Sequence, residues 1–256
     1  VDGDEVAVQD VTIKGDKSVA IVTEQGSLAH LLVTIMGVVI LVGAVALFLW
    51  KKDWMLSLHV GAVGVLVVAL ASSWWTLTGS EGGISTATKT FLVPSSIVTV
   101  TSSAGALGGN ISSIPAELSL VLTLIAGLLG LTAGLILLRM LFREKKPRLA
   151  AMLAGVNVVL LVLSLLLFVY AMSQLTEVGV GDFMGSGDLE VSIPGDQAGS
   201  VMVSCSWGPG RGFYLGVLAL LLIAGVSMYR YRRLLLSGYG MARAKLAALP
   251  HLIRRT

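Results

Sequence analysis

Along the chain, apolar residues fall into five long runs with almost no charge inside them: Leu31 to Trp50, Trp54 to Trp75, Leu118 to Leu138, Leu149 to Met172, and Phe213 to Tyr229. A hydrocarbon layer about 30 Å thick takes about 20 helical residues at a rise of about 1.5 Å each. Four runs meet that length, and the fifth meets it when extended outward through Trp207 to Gly212. The pattern between the runs is different. Thr86 to Val93, Ile97 to Thr101, Leu189 to Ile193 and Ser200 to Ser204 are short β-prone stretches, with Pro94 and Pro194-Gly195 at the turns between them. Val6 to Ile13 and Ser18 to Val22 read the same way around Lys14-Gly15-Asp16-Lys17. Isolated hairpins are marginal in water, so one small shared sheet is expected over the helices.

The predicted fold class is therefore an α-helical multi-pass membrane protein, with about five transmembrane helices and a small extracytoplasmic β-rich region. Its layout is an N-terminal hairpin-like segment (1–27), a first transmembrane hairpin (28–77), an outer β-like loop (78–116), a second transmembrane hairpin (117–173), a second outer loop (174–212), a fifth helix (213–233) and a basic tail (234–256).

Composition strengthens this reading. Of 256 residues, 55% are apolar and 13% charged, against about 25% charged in ordinary globular chains. Charge also orients the spans. Fourteen of the eighteen Lys and Arg residues, including Lys51, Lys52, Arg139, Lys145, Lys146 and Arg230, fall on one side, and Lys14, Lys17, Lys89 and Arg211 fall on the other. The positive-inside rule makes the basic side cytoplasmic and the N-terminus outer, in a plasma membrane. Basic residues abutting spans point to lipid headgroups, not nucleic acid. Tyr239 to Arg255 interleaves apolar residues with Arg243, Lys245, Arg254 and Arg255, as in a helix lying on anionic lipid. Residues 1–27 contain no signal peptide and begin at Val1, so an upstream segment is expected, either a removed signal or an outer domain that these helices anchor.

Sliding the chain on itself by 94 residues pairs Lys51-Lys52 with Lys145-Lys146, Gly61 with Gly155 and Phe48 with Phe142. The shared plan is helix, basic turn, helix, outer β-like loop, then a further helix. Tandem duplication accounts for it, and so does the ease with which apolar sequences match.

Chemistry-bearing residues are few. One cysteine, Cys205, excludes an internal disulfide, and no Cys/His cluster has metal-ligand spacing. The mid-span polar residues are His59, Asn157, Thr34, Thr123 and Thr132, none a carboxylate or ammonium, whereas ion-coupled pumps usually carry charge there. Arg139 is expected to snorkel to the inner surface. His59 and Asn157 read as interhelical hydrogen-bonding groups, and Ala126, Gly130 and Gly134 as a small-residue row made for close helix packing. Trp50, Trp54, Trp74, Trp75 and Trp207 sit where interfacial aromatic belts are expected. Asn110-Ile111-Ser112 fits the N-glycosylation acceptor pattern on the outer side.

No nucleophile–base pair, carboxylate pair, phosphate loop or redox ligand set is present, so neither an enzyme nor a cofactor is expected. The leading expectation is a non-catalytic structural or accessory subunit of a larger membrane assembly, meeting other membrane subunits or an outer-surface partner, and compatible with oligomers. The alternative is a transporter or channel for a neutral or apolar solute at the interface between the repeats. A polar cavity near Thr123, Thr132 and Asn157 would favour that alternative.

Overall fold

The computed structural model describes residues 28–103, 106–112, 116–142, 145–192 and 200–230. The expected N-terminal hairpin and basic tail lie outside the described residues. Five helices are long and apolar enough to cross a membrane. They are α1 (Leu28–Lys51), α2 (Trp54–Ala71), α3 (Ala116–Phe142), α4 (Pro147–Gly179) and α5 (Arg211–Arg230). Six strands form one antiparallel sheet: β1 (Ser73–Glu81), β2 (Ile84–Leu92), β3 (Ser95–Ser103), β4 (Ala106–Ser112), β5 (Gly185–Ser192) and β6 (Ser200–Pro209), in the order β4-β3-β2-β1-β6-β5.

Connectivity puts the sheet at one end of the helices and the basic turns at the other. Every strand-to-helix junction lies at the sheet end, while α1–α2 and α3–α4 close through Lys52-Asp53 and the segment ending at Lys145-Lys146. Asp53 caps α2 by accepting from the Leu56 N–H at 3.1 Å. Lys52 adopts a positive φ of 53° to make so short a turn. Pro147 opens α4, where its missing N–H goes unmissed.

The plan of helix hairpin followed by strand hairpin occurs twice, as α1–α2–β1–β2 and as α3–α4–β5–β6. β1 joins the two by pairing with β6, with Leu77 opposite Trp207 and Gly79 opposite Cys205. The β3–β4 hairpin extends the first unit's side of the sheet. At the β1–β2 turn, Gly82 and Gly83 both take positive φ, the requirement of a tight hairpin turn.

Side chains alternate across the sheet. Trp75, Leu77, Thr86, Thr90, Val203 and Cys205 are buried on the helix-facing side, whereas Thr78, Ser80, Ser85, Ser204 and Ser206 are exposed on the other.

Two differences from the sequence reading concern the second span. α2 stops at Ala71, where the Ser72 hydroxyl donates to Val68 O at 2.8 Å. Trp74 and Trp75 belong to β1, not to a helix end. At the other hairpin, α4 runs past Met172 to Gly179, about 50 Å at the helical rise. The sheet-side half of α5 carries buried Gly212, Gly216 and Ala219, and a Cβ on Gly216 would sit 3.2 Å from Leu165 of α4. At the far end Ser227 accepts from Arg139 of α3 at 3.1 Å, and Tyr229 stacks edge-on with Trp54 of α2 at 5.2 Å.

Candidate functional site

Three surfaces gather the residues singled out by sequence. The first is the junction between sheet and helices. Trp74 is fully buried, its ring 5.0 Å from Phe168 of α4 and 6.2 Å from Phe213 of α5, and its Nε1–H donates to Ala69 O at 2.8 Å. Trp75 is buried as well and donates to Phe183 O at 2.9 Å, while Trp207 donates to Asp182 O at 2.9 Å. Each indole thus places its one polar atom on a backbone carbonyl. Gly210 and Gly212 make the approach feasible. A Cβ on Gly210 would lie 2.4 Å from Ser73 O, and one on Gly212 would lie 2.5 Å from Trp74 Cδ1. So Trp74, Trp75 and Trp207 hold the protein together internally. Trp50, by contrast, is 87% exposed and Trp54 partly so.

The second surface is the helix bundle. The described part of its interior is filled by Leu66, Leu122, Ile125, Leu129, Leu161 and Phe168. His59 is buried on α2 with Nδ1 2.6 Å from Met55 O of its own helix. Asn157 is fully buried on α4. Thr132 is also fully buried, but Thr123 faces outward, so Thr123, Thr132 and Asn157 do not share one surface. Arg139 is buried against α5, where it donates to Ser227, because the helix places it on the inward row of Leu122, Ile125, Leu129, Thr132 and Ile136.

The small-residue row divides in a way that spacing alone does not reveal. Ala126 packs against the core, whereas Gly130 and Gly134 face outward together with Gly127. Nothing among the described residues lies within 4 Å of a Cβ built on any of these three glycines. Close helix contact is made elsewhere. A Cβ on Gly37 of α1 would meet Val68 Cγ2 at 2.6 Å, and one on Gly64 of α2 would meet Leu41 Cγ at 2.8 Å. Sequence reasoning missed this pair, because each helix of the hairpin carries two glycines, Gly37 and Gly43 on α1 and Gly61 and Gly64 on α2, with nothing in the spacing to mark which two make the contact.

The third surface is the exposed sheet face, a depression of about 730 Å³ whose lining includes Thr78, Ser80, Lys89, Ser102, Ser186 and Ser206. Glu81 completes the β1–β6 ladder by accepting from the Ser204 N–H at 3.1 Å. Asn110, the glycosylation candidate, stands in edge strand β4 opposite Thr99.

Cys205 lies on the opposite, helix-facing side, over Gly79, where a Cβ would clash with its sulfur. Burial pushes its thiol up from the ordinary value, and the nearby Asp188 carboxylate adds to this. The thiolate is the nucleophile, so maleimide labelling at pH 7.5 is expected to be at least about 10-fold slower in folded than in denatured protein. Equal rates would show the sheet to be open at β6.

Among the described residues, no group of three His, Cys, Asp or Glu side chains forms a candidate metal site. No protein-family model matches the chain, and no curated protein matches its sequence.

Proposed function

We propose that the chain is a multi-pass membrane protein, with the sheet on the outer side and the basic turns in the cytoplasm. In this reading it is a non-catalytic structural or accessory subunit of a larger membrane assembly. The membrane placement is supported by apolar side chains exposed around the bundle, among them Val39 and Val42 on α1, Leu120 and Leu131 on α3, Leu166 on α4 and Leu221 on α5. Water-exposed helices of a monomer rarely present so much apolar surface. The fourteen-to-four division of Lys and Arg supports the orientation.

One observation carries the subunit role: the outward row Gly127, Gly130 and Gly134 on α3, with open space above each. Lipid gains nothing from a bare helix backbone, whereas a second helix gains close packing there. The three lie on one side of α3, beside a shallow depression whose lining includes Leu120, Thr123, Leu124 and Leu131. The hydroxyl-rich sheet face gives the same assembly a polar outer contact.

Purification from native membranes in mild detergent tests this. The protein is expected to leave the column with another membrane chain. The double variant Gly130→Leu, Gly134→Leu is expected to lose that chain while keeping its own melting temperature, because both glycines face open space and leucine favours the helix. A wild-type protein that elutes alone, or a variant that retains its companion, contradicts the reading.

A further inference from the structure

The buried stripe of α4 is not uniformly apolar. Between buried Ala154 and Leu161 stands Asn157, fully buried, and neither its Oδ1 nor its Nδ2 has a hydrogen-bond partner among the described residues. A side-chain amide carries two donor hydrogens and an oxygen with two lone pairs. Buried amides in folded proteins are nearly always satisfied, by protein groups or by ordered water.

Two buried hydroxyls on the inward rows of α4 and α3 are already engaged. Ser164, two turns along the same helix face, donates to Leu160 O at 2.8 Å. Thr132 on α3 donates to Leu128 O at 2.8 Å. Asn157 lies ten residues after Pro147 opens α4, and Thr132 lies ten residues before Phe142 closes α3. In an antiparallel hairpin these equal rises, about 15 Å each, bring the two residues to one level. That level is half-way through an apolar layer about 30 Å thick. Both residues belong to the inward rows of their helices and both are fully buried. Having given its proton to Leu128, the Thr132 oxygen still has a lone pair to offer.

We propose that Asn157 and Thr132 form a hydration site, at which one water molecule bridges α4 to α3 at the middle of the apolar layer. The water accepts from Asn157 Nδ2 and donates to Asn157 Oδ1 and to Thr132 Oγ1, three bonds of the kind that buried waters make. Water is the occupant because it is small and supplies both donors and acceptors, which an amide at a buried level needs together. The Leu129 and Leu161 contacts on either side are non-directional. The bridge sets which residues of the hairpin face each other.

The chain has only two asparagines, Asn110 and Asn157, so protein labelled with ¹⁵N-asparagine in detergent micelles gives two side-chain amide pairs, and Asn110→Gln assigns them. A rotating-frame Overhauser cross-peak from the Asn157 amide protons to water is expected, and its absence overturns the site. Melting temperatures give a second readout. Asn157→Leu and Thr132→Val are each expected to lower the midpoint by about 2–4 °C, and the double variant to fall no further than Asn157→Leu alone. An apolar replacement of an amide that had no partner leaves stability unchanged or raises it. An unchanged or higher midpoint for Asn157→Leu, or additive losses, therefore contradicts the bridge.

Discussion

Replacing Trp74 with alanine is expected to cost about 3–5 kcal/mol of stability, while Trp50→Ala changes it by no more than about 0.5 kcal/mol. The two tryptophans look alike in sequence, each at the end of an apolar run. They differ in what surrounds them. Trp74 is fully buried where α2, α4, α5 and β1 meet, with Phe168, Phe213 and Ala69 O as its partners. Truncation would leave a cavity between the sheet and the helices and would remove one of the two donors to the Ala69 carbonyl, the indole N–H at 2.8 Å, leaving the Ser72 N–H at 3.1 Å. Gly210 and Gly212 are shaped to that ring and its strand, so the site cannot collapse without moving the start of α5. Unfolding midpoints of the two variants in one detergent check this directly, and equal losses would mean that Trp74 does not join sheet to bundle.

Gly64→Leu should loosen the first helix hairpin, at a cost of about 1–3 kcal/mol or more, whereas Gly43→Leu should be neutral or stabilising by about 0.5–1 kcal/mol. The contrast rests on space. A Cβ on Gly64 would lie 2.8 Å from Leu41 Cγ and 3.1 Å from its backbone nitrogen, so α1 itself would have to move. A Cβ on Gly43 meets nothing within 4 Å. Since both changes improve helix propensity alike, any difference in midpoint reports packing. Matching midpoints for the two would contradict the close α1–α2 contact at Gly37 and Gly64.

What the sequence discloses, and what it hides, follows from how each element earns its stability. The long helices were legible because length and apolarity alone mark them. β2, β3, β5 and β6 were legible from runs of Val, Thr and Ile. β1 was not. Near its start, Trp74 and Trp75 continue the apolar run of α2 after only Ser72 and Ser73, and hydropathy does not register a change of backbone from helix to strand. The change is made by the Ser72 cap and by a ladder to β2 and β6, both tertiary facts. β4, Ala106–Ser112, has two adjacent glycines and few β-formers, and it exists through pairing with β3.

The small-residue signal had a similar ambiguity. Glycine at helical spacing occurs on both α3 and α5, yet Gly212 and Gly216 are buried while Gly130 and Gly134 face outward. Spacing shows that a close contact is permitted and leaves open which chain makes it. Arg139 has a comparable ambiguity: an arginine at a span end invites snorkelling, and the partner that its helical row offers it, Ser227 of α5, is a tertiary fact that spacing does not carry. The cluster Trp207-Gly208-Pro209-Gly210-Arg211-Gly212 did carry a usable hint, since glycine this dense marks close backbone approach.

In the proposed assembly, the bare face of α3 is covered by another protein chain in the membrane. A photo-crosslinking amino acid placed at Gly130, and in a second sample at Val39 on the exposed side of α1, tests it in intact native membranes. Irradiation at Gly130 is expected to shift the protein to a discrete heavier band containing a second polypeptide, while Val39 yields lipid adducts alone. Lipid adducts alone at Gly130 as well would contradict the account.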